Sequence, residues 1–121
     1  MGRARPVRDA GSGSPPRVLA VDFDRVICDP ETRLPGYKMG QPVEGALEAL
    51  RALQSDGWRI VVHTVRAAGD DEGGHVRDWL DYFGFPWHDV TAVKPAADVY
   101  LDDRAVRFTT WEAALEVLSE L

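Results

Sequence analysis

Cysteine is scarce in this chain: Cys28 is the single one among 121 residues. One cysteine cannot form a disulfide within the chain, and we expect a reducing compartment, the cytoplasm. The sequence has no run of about 18 apolar residues, so we expect no membrane-spanning helix. Residues 1–16 are rich in Gly, Ser, Pro and Arg and lack the apolar stretch of a secretion signal. They are predicted to be a disordered basic tail before one folded domain at 17–121.

Positive charge is also limited. The net charge is −6, and since residues 1–9 carry +2, the rest of the chain carries −8. Such an acidic domain is poorly suited to duplex DNA, because DNA binding depends on cations that contact phosphates. A phosphorylated substrate remains compatible, since a bound metal ion can supply positive charge locally. Lysine is rare, with two residues, Lys38 and Lys94, against twelve arginines.

The hydrophobic pattern predicts strands that alternate with helices. Strands are expected at 17–22, 58–64, 89–94, 97–103 and 105–108, and helices at 42–56, 75–83 and 110–121. This order is typical of β-α-β units and predicts an α/β fold, a three-layer Rossmann-like sandwich with a mainly parallel central sheet. The segment 25–41 mixes Pro, Gly and polar residues and is expected to form a small flap.

Polar residues follow the ends of four predicted strands. They are Asp22 and Asp24, Thr64, Lys94, and the pair Asp102 and Asp103. Ligands of open α/β sheets bind at the carboxyl ends of the strands, so we expect these residues to share one crevice. Neighbouring carboxylates repel each other unless a cation lies between them, and carboxylates without His or Cys favour Mg²⁺ over Zn²⁺. An aspartate can attack phosphorus while a second carboxyl group transfers the proton.

These motifs resemble those of the haloacid dehalogenase-like (HAD) superfamily. The stretch "VDFDRVICD" is similar to its first motif, Thr64 after "RIVVH" to its second, Lys94 in "AVKP" to its third, and "DVYLDDR" to its acidic fourth. The resemblance spans residues 18 to about 108. It implies a phosphomonoester hydrolase that depends on Mg²⁺ and forms an aspartyl-phosphate.

The resemblance also implies a role for each matching residue. Asp22 would be the nucleophile and a metal ligand. Asp24 would be the general acid and base, with its backbone carbonyl on the metal. Thr64 would donate a hydrogen bond to the phosphoryl group, and Lys94 would neutralise that group and orient Asp22. Asp102 and Asp103 would complete the Mg²⁺ site, one of them directly and the other through water, in an order left open.

Three further residues near these motifs have alternative interpretations. Arg25 stands where the family more commonly has glycine, and either contacts the substrate or lies on the surface of the flap. Arg66 either contacts the substrate or forms a surface salt bridge. His63 precedes Thr64 and is expected to face away from the site as a core or supporting residue.

The spacing of the motifs leaves no room for a cap domain. Only 39 residues separate Asp24 from Thr64, and 29 separate Thr64 from Lys94. We therefore expect a capless member with the flap at 25–41. The resemblance then allows a large substrate that covers the site, or closure by another subunit in a homo-oligomer.

Several functional alternatives remain at this point. A signalling receiver domain uses similar residues, but its acid pair and its phospho-acceptor aspartate should precede the Thr and Lys. A scaffold or binding protein could keep the site and act through its tail or a dimer surface. The phosphorylated partner could be a sugar phosphate, a nucleotide or a phosphate end of a nucleic acid, because fold does not specify substrate.

Overall fold

The structure is a computed structural model that describes residues 16–69, 73–93, 95–102 and 106–120, without the side chains of 102, 106 and 107. The predicted tail at 1–16 therefore lies outside the described residues, except for Pro16. The described elements, in chain order, are β1 (Val18–Asp22), β2 (Cys28–Asp29), β3 (Gln41–Pro42), α1 (Ala46–Ser55), β4 (Arg59–His63), α2 (Gly74–Phe83), β5 (Asp89–Thr91), β6 (Val99–Asp102), β7 (Val106–Arg107) and α3 (Trp111–Ser119).

The central sheet has the strand order β5-β4-β1-β6-β7, and each neighbouring pair is parallel. The expected α/β, Rossmann-like fold with a mainly parallel sheet is confirmed. β1 lies at the centre because chain connections lead from it to β4 and then outward to β5, whereas β6 returns to its other side. None of the helices in the described ranges is long and apolar enough to cross a membrane.

One face of the sheet carries the hydrophobic core. Leu19 and Val21 of β1 belong to the core cluster, whereas Ala20 between them projects to the opposite face. Helices α1, α2 and α3 all contribute buried residues to this cluster. The crossovers from β1 to β4 and from β4 to β5 advance in the same direction along the sheet. Crossovers of one hand then place their helices on the same face, as the shared core of α1 and α2 requires.

The opposite face of the sheet is approached by coil rather than by a helix of the described residues. The hydroxyl of Tyr100 in β6 donates a hydrogen bond of 2.5 Å to the carbonyl of Pro95 in the connection between β5 and β6. Ala20 and Val61 lie next to each other in register on this face, and both are buried. This face of the two central strands is therefore also shielded from solvent.

Helix α1 is shorter than its sequence pattern predicts. Its apolar stripe suggested a start at Pro42, but Pro42 pairs with Cys28 in the antiparallel β2–β3 ladder. Gly45, with a φ of 85°, then turns the chain into the helix, which begins at Ala46. The end of the helix is as predicted, since Gly57 follows it in a left-handed conformation with a φ of 97°.

The expected flap is present as a hairpin-like excursion between β1 and α1. Its base is the β2–β3 pair, and the 3₁₀ turn Pro30–Thr32 and residues 33–40 lie between the two strands. Two buried indoles attach the flap region to the helices. Trp79 Nε1 donates to the Gly40 carbonyl and Trp111 Nε1 donates to the Val26 carbonyl, each at 2.9 Å. The flap is therefore anchored at both ends to the core.

Candidate active site

The parallel register aligns the carboxyl ends of the central strands. Asp22, the last residue of β1, is paired with His63 of β4, and His63 is paired with Thr91 of β5. On the other side Val21 is paired with Leu101, so the backbone of Asp102 follows beside Asp22. Neighbouring strands are about 4.8 Å apart. As predicted, the carboxyl ends of β1, β4 and β6, which carry these motifs, lie side by side at one edge of the sheet.

Asp22 is partly buried at the point where β1 ends. Its Oδ1 accepts a hydrogen bond of 2.8 Å from the backbone N–H of Phe23. This bond folds the carboxylate back over the start of the next turn. The chain then reverses within a few residues, because the N–H groups of Ile27 and Cys28 both donate to the Phe23 carbonyl at 2.9 Å.

Asp24 lies in this turn and forms an ion pair with Arg66. The guanidinium Nε is 3.0 Å from Oδ2 and 3.3 Å from Oδ1 of Asp24, and Nη2 is 3.0 Å from Oδ1. The hydrogen bond to Asp24 raises the pKa of Arg66 above its already high usual value. About one third of each side chain is exposed, at 32% for Arg66 and 30% for Asp24. Of the two interpretations of Arg66, it forms a salt bridge, but with a candidate catalytic residue.

Thr64 directly follows β4 and is 3% exposed. Its backbone N–H donates to the Thr91 carbonyl at 2.9 Å, which holds it against β5. Its Oγ1 accepts a hydrogen bond of 3.2 Å from the N–H of Arg66 and so caps the 3₁₀ turn Val65–Ala68. Thr64 therefore positions the backbone from which Arg66 reaches Asp24, and its hydroxyl keeps a proton for donation.

Arg25 occupies the turn between Asp24 and the buried Val26. Its φ is +71°, and it is the one non-glycine residue with a positive φ in the part of the chain that the structure describes. Its N–H donates to the Cys28 carbonyl at 2.7 Å, while its side chain is exposed. Cys28 is fully buried and packs as a small apolar residue, and burial raises the pKa of its thiol.

His63 differs from its expected orientation. Alternation along one strand suggested that it faces away from the site, since Thr64 follows it. The register instead pairs His63 with Asp22, and paired residues of parallel strands project to the same face of the sheet. The expectation considered a single strand, whereas the relevant neighbour lies on another strand 41 positions earlier in the chain.

The remaining site residues are only partly covered by the structure. Lys94 and Asp103 lie outside the described residues, and Asp102 is described for its backbone alone. Among the residues that are described, no cluster of three or more His, Cys, Asp or Glu side chains could hold a metal ion. The Mg²⁺ site stays a prediction, because two of its four aspartates contribute no described side chain.

Exposed apolar side chains border the same edge of the sheet, and the sequence pattern did not predict them. Val65 is 81% exposed directly after Thr64, and Val93 is 75% exposed two residues after β5. Both follow the last residues of neighbouring strands. The signal in the sequence was a valine in each of the two loops that follow these strands.

Comparisons with known proteins support the fold and do not indicate an activity. No protein-family model matches the chain, and no curated protein matches it. One similar solved structure is described as a conserved protein coded by a locus from Bacteroides thetaiotaomicron. It is 23% identical, with a TM-score of 0.68, and the match covers 87% of this chain and 91% of that one. The chain therefore shares an α/β fold with that protein.

Proposed function

We propose that this protein is a Mg²⁺-dependent phosphomonoester hydrolase that acts through an aspartyl-phosphate on Asp22. The observation that carries the proposal is the register of the parallel sheet, which brings Asp22, Thr64 and the backbone of Asp102 to neighbouring strand ends. Nucleophile, hydroxyl donor and acidic residue are the groups that phosphoryl transfer needs in one crevice.

In the first step a carboxylate oxygen of Asp22 attacks phosphorus, and the bond from phosphorus to the ester oxygen breaks. The leaving alcohol takes its proton from Asp24. In the second step water attacks the phosphorus of the aspartyl-phosphate, and the bond to Asp22 breaks. Asp24 accepts the proton of that water, and inorganic phosphate leaves. The hydroxyl of Thr64 donates to a phosphoryl oxygen in both steps.

The Asp24–Arg66 ion pair gives this scheme a specific requirement. A carboxylate that accepts hydrogen bonds from a guanidinium cannot act as an acid until it leaves that pair. Phosphoryl oxygens are also good acceptors for an arginine fork. We therefore infer that the substrate phosphoryl group takes the guanidinium of Arg66, and that the released Asp24 carboxylate takes up a proton from water before it protonates the leaving alcohol.

The acidic residues of this edge fit a magnesium ion by their chemistry. Asp22, the Asp24 carbonyl and the Asp102–Asp103 pair supply hard oxygen ligands and no sulfur, which suits Mg²⁺. When bound, the ion would neutralise charge on the phosphoryl oxygens. Lys94 is the second cation proposed for that purpose. The proposal therefore includes a phosphomonoester substrate, Mg²⁺ as the cofactor and a homo-oligomeric state.

The test measures phosphate release from 4-nitrophenyl phosphate with Mg²⁺ and with excess EDTA. Asp22→Asn removes the nucleophile and keeps the size of the side chain, so activity should fall at least about a thousandfold, a typical loss for an essential catalytic group. Asp78→Asn is the matched control, because Asp78 is exposed on α2. Activity that survives EDTA, or equal activity in both variants, would refute the mechanism. Phosphate binding without turnover would favour the binding-protein alternative.

A further inference from the structure

The turn after Asp24 contains a residue whose backbone conformation does not suit it. With a φ of +71°, Arg25 lies in the left-handed region, where the Cβ of an L-residue crowds the backbone. Glycine adopts this conformation without that steric cost. Bulky residues persist there where the surrounding structure holds them, and such positions cluster at ligand-binding sites.

The fold itself makes little use of the Arg25 side chain. The turn is held by backbone bonds, from the Arg25 N–H to Cys28 and from the Ile27 N–H to Phe23. The next residue, Val26, is 3% exposed and packs in the core, whereas Arg25 is exposed. Glycine would preserve each of these backbone bonds. Among the described residues, no hydrogen bond or ion pair of the Arg25 side chain offsets this steric cost.

Arg25 directly follows Asp24, the proposed acid and base, and its side chain is exposed. Its Cα is about 3.8 Å from that of Asp24 across one peptide bond. The nearby guanidinium of Arg66 is already paired with Asp24 and is assigned above to the transferred phosphoryl group. The chain as a whole is acidic, with a net charge of −6, so a substrate with two anionic groups needs a local cation for the second one.

We propose that Arg25 binds a second anionic group, a carboxylate or a phosphate, on the phosphorylated substrate, and so makes this group a determinant of specificity. The inference deepens the proposed function and rests on it. Arginine suits the role because its planar guanidinium can donate two parallel hydrogen bonds to either group. The substrate class is then a small phosphomonoester that carries a further negative charge.

The experiment compares two matched substrate pairs. 3-Phosphoglycerate differs from glycerol 3-phosphate by a carboxylate, and adenosine 3′,5′-bisphosphate differs from adenosine 5′-phosphate by a phosphate. For each pair the ratio of kcat/KM is measured in the wild type, Arg25→Gly and Arg25→Lys. Arg25→Gly should lower the ratio about tenfold in at least one pair, and Arg25→Lys should restore part of it. The pair that responds identifies the anionic group.

A charge control and a stability measurement make the result specific. Arg59→Ala removes the same charge at the amino end of β4, away from the site, and should leave both ratios unchanged. The melting temperature of Arg25→Gly should equal or exceed that of the wild type, because the steric cost is gone. Unchanged ratios in both pairs, or a melting temperature several degrees lower, would overturn the proposal.

Failure of this inference and failure of the proposed function give different results. If no substrate is hydrolysed, the proposed function is wrong, and calorimetric binding of the same four compounds still tests Arg25. If all are hydrolysed and the ratios do not depend on Arg25, the hydrolase remains and the specificity role is excluded.

Discussion

The Asp24–Arg66 ion pair provides a quantitative test of the site geometry. We consider the double-mutant cycle of Asp24→Asn and Arg66→Gln, in which each change removes a charge and leaves a polar side chain. The free energy of unfolding is obtained from urea denaturation of the wild type, both single variants and the double variant. The quantity of interest is the coupling energy, which isolates the interaction from the other effects of each substitution.

The geometry sets the expected magnitude. Three contacts between 3.0 and 3.3 Å make the pair bidentate, and about one third of each side chain is exposed. Fully exposed ion pairs contribute roughly 0.2–1 kcal/mol, and hydrogen bonds to charged groups about 1.5–3 kcal/mol. A pair with intermediate exposure should therefore show a coupling of about 1–1.5 kcal/mol, discounted from the buried value because solvent still screens both groups.

A matched cycle controls for unspecific charge effects. Asp24→Asn combined with Arg59→Gln also removes one negative and one positive charge, but Arg59 lies at the opposite end of β4. These changes should be additive within about 0.5 kcal/mol. If the Asp24–Arg66 coupling is no larger than in this control, the two side chains do not form the described pair. The inferred exchange of Arg66 between Asp24 and a phosphoryl group would then lose its basis.

Two further predictions concern the flap and one histidine. A Cβ at Gly40 would overlap the Asp29 carbonyl oxygen. Gly40→Ala should therefore lower the free energy of unfolding by about 1–3 kcal/mol. An unchanged midpoint of urea denaturation would contradict this packing of the flap. His88 Nδ1 accepts a 2.9 Å hydrogen bond from the Ile60 N–H, and burial lowers the pKa of His88 below the unfolded value of about 6.5. The unfolded chain therefore binds more protons as the pH falls, and wild-type stability should decline from about pH 6.5 downward through the folded pKa. His88→Asn should remove this part of the pH dependence, as measured by urea denaturation from pH 8 to pH 5; identical pH profiles would exclude the role of His88.

Local patterns predicted the elements that depend on local causes. The apolar runs predicted β1 and β4, because side chains alternate between the two faces of a strand. The glycines after α1 and α2 predicted the ends of these helices, because glycine readily adopts the left-handed conformation. Neighbouring residues alone determine both effects. The start of α1 was wrong by four residues, because the alternative pairing of Pro42 with Cys28 bridges 14 positions of the chain. No local pattern contains that interaction.

Some features of the candidate site were also predictable from the sequence, and others were not. The strand ends that carry Asp22, Thr64 and Asp102 were predictable, because parallel strands joined by right-handed crossovers bring their carboxyl ends to one edge. The partner of Asp24 was not predictable from the sequence, because Arg66 could either contact the substrate or form a surface salt bridge. The turn after Thr64 places Arg66 3.0 Å from the Asp24 carboxylate. The positive φ of Arg25 also depends on the closed turn from Phe23 to Cys28.

The sequence alone determined the α/β class, the parallel sheet and the residue types at its carboxyl edge, because hydrophobic periodicity and strand-end positions are properties of short segments. The tertiary structure decided which of those residues meet. It paired His63 with Asp22 and Arg66 with Asp24, both across about 40 positions. Such pairings depend on strand register and turn geometry, which are settled only when distant segments pack against each other.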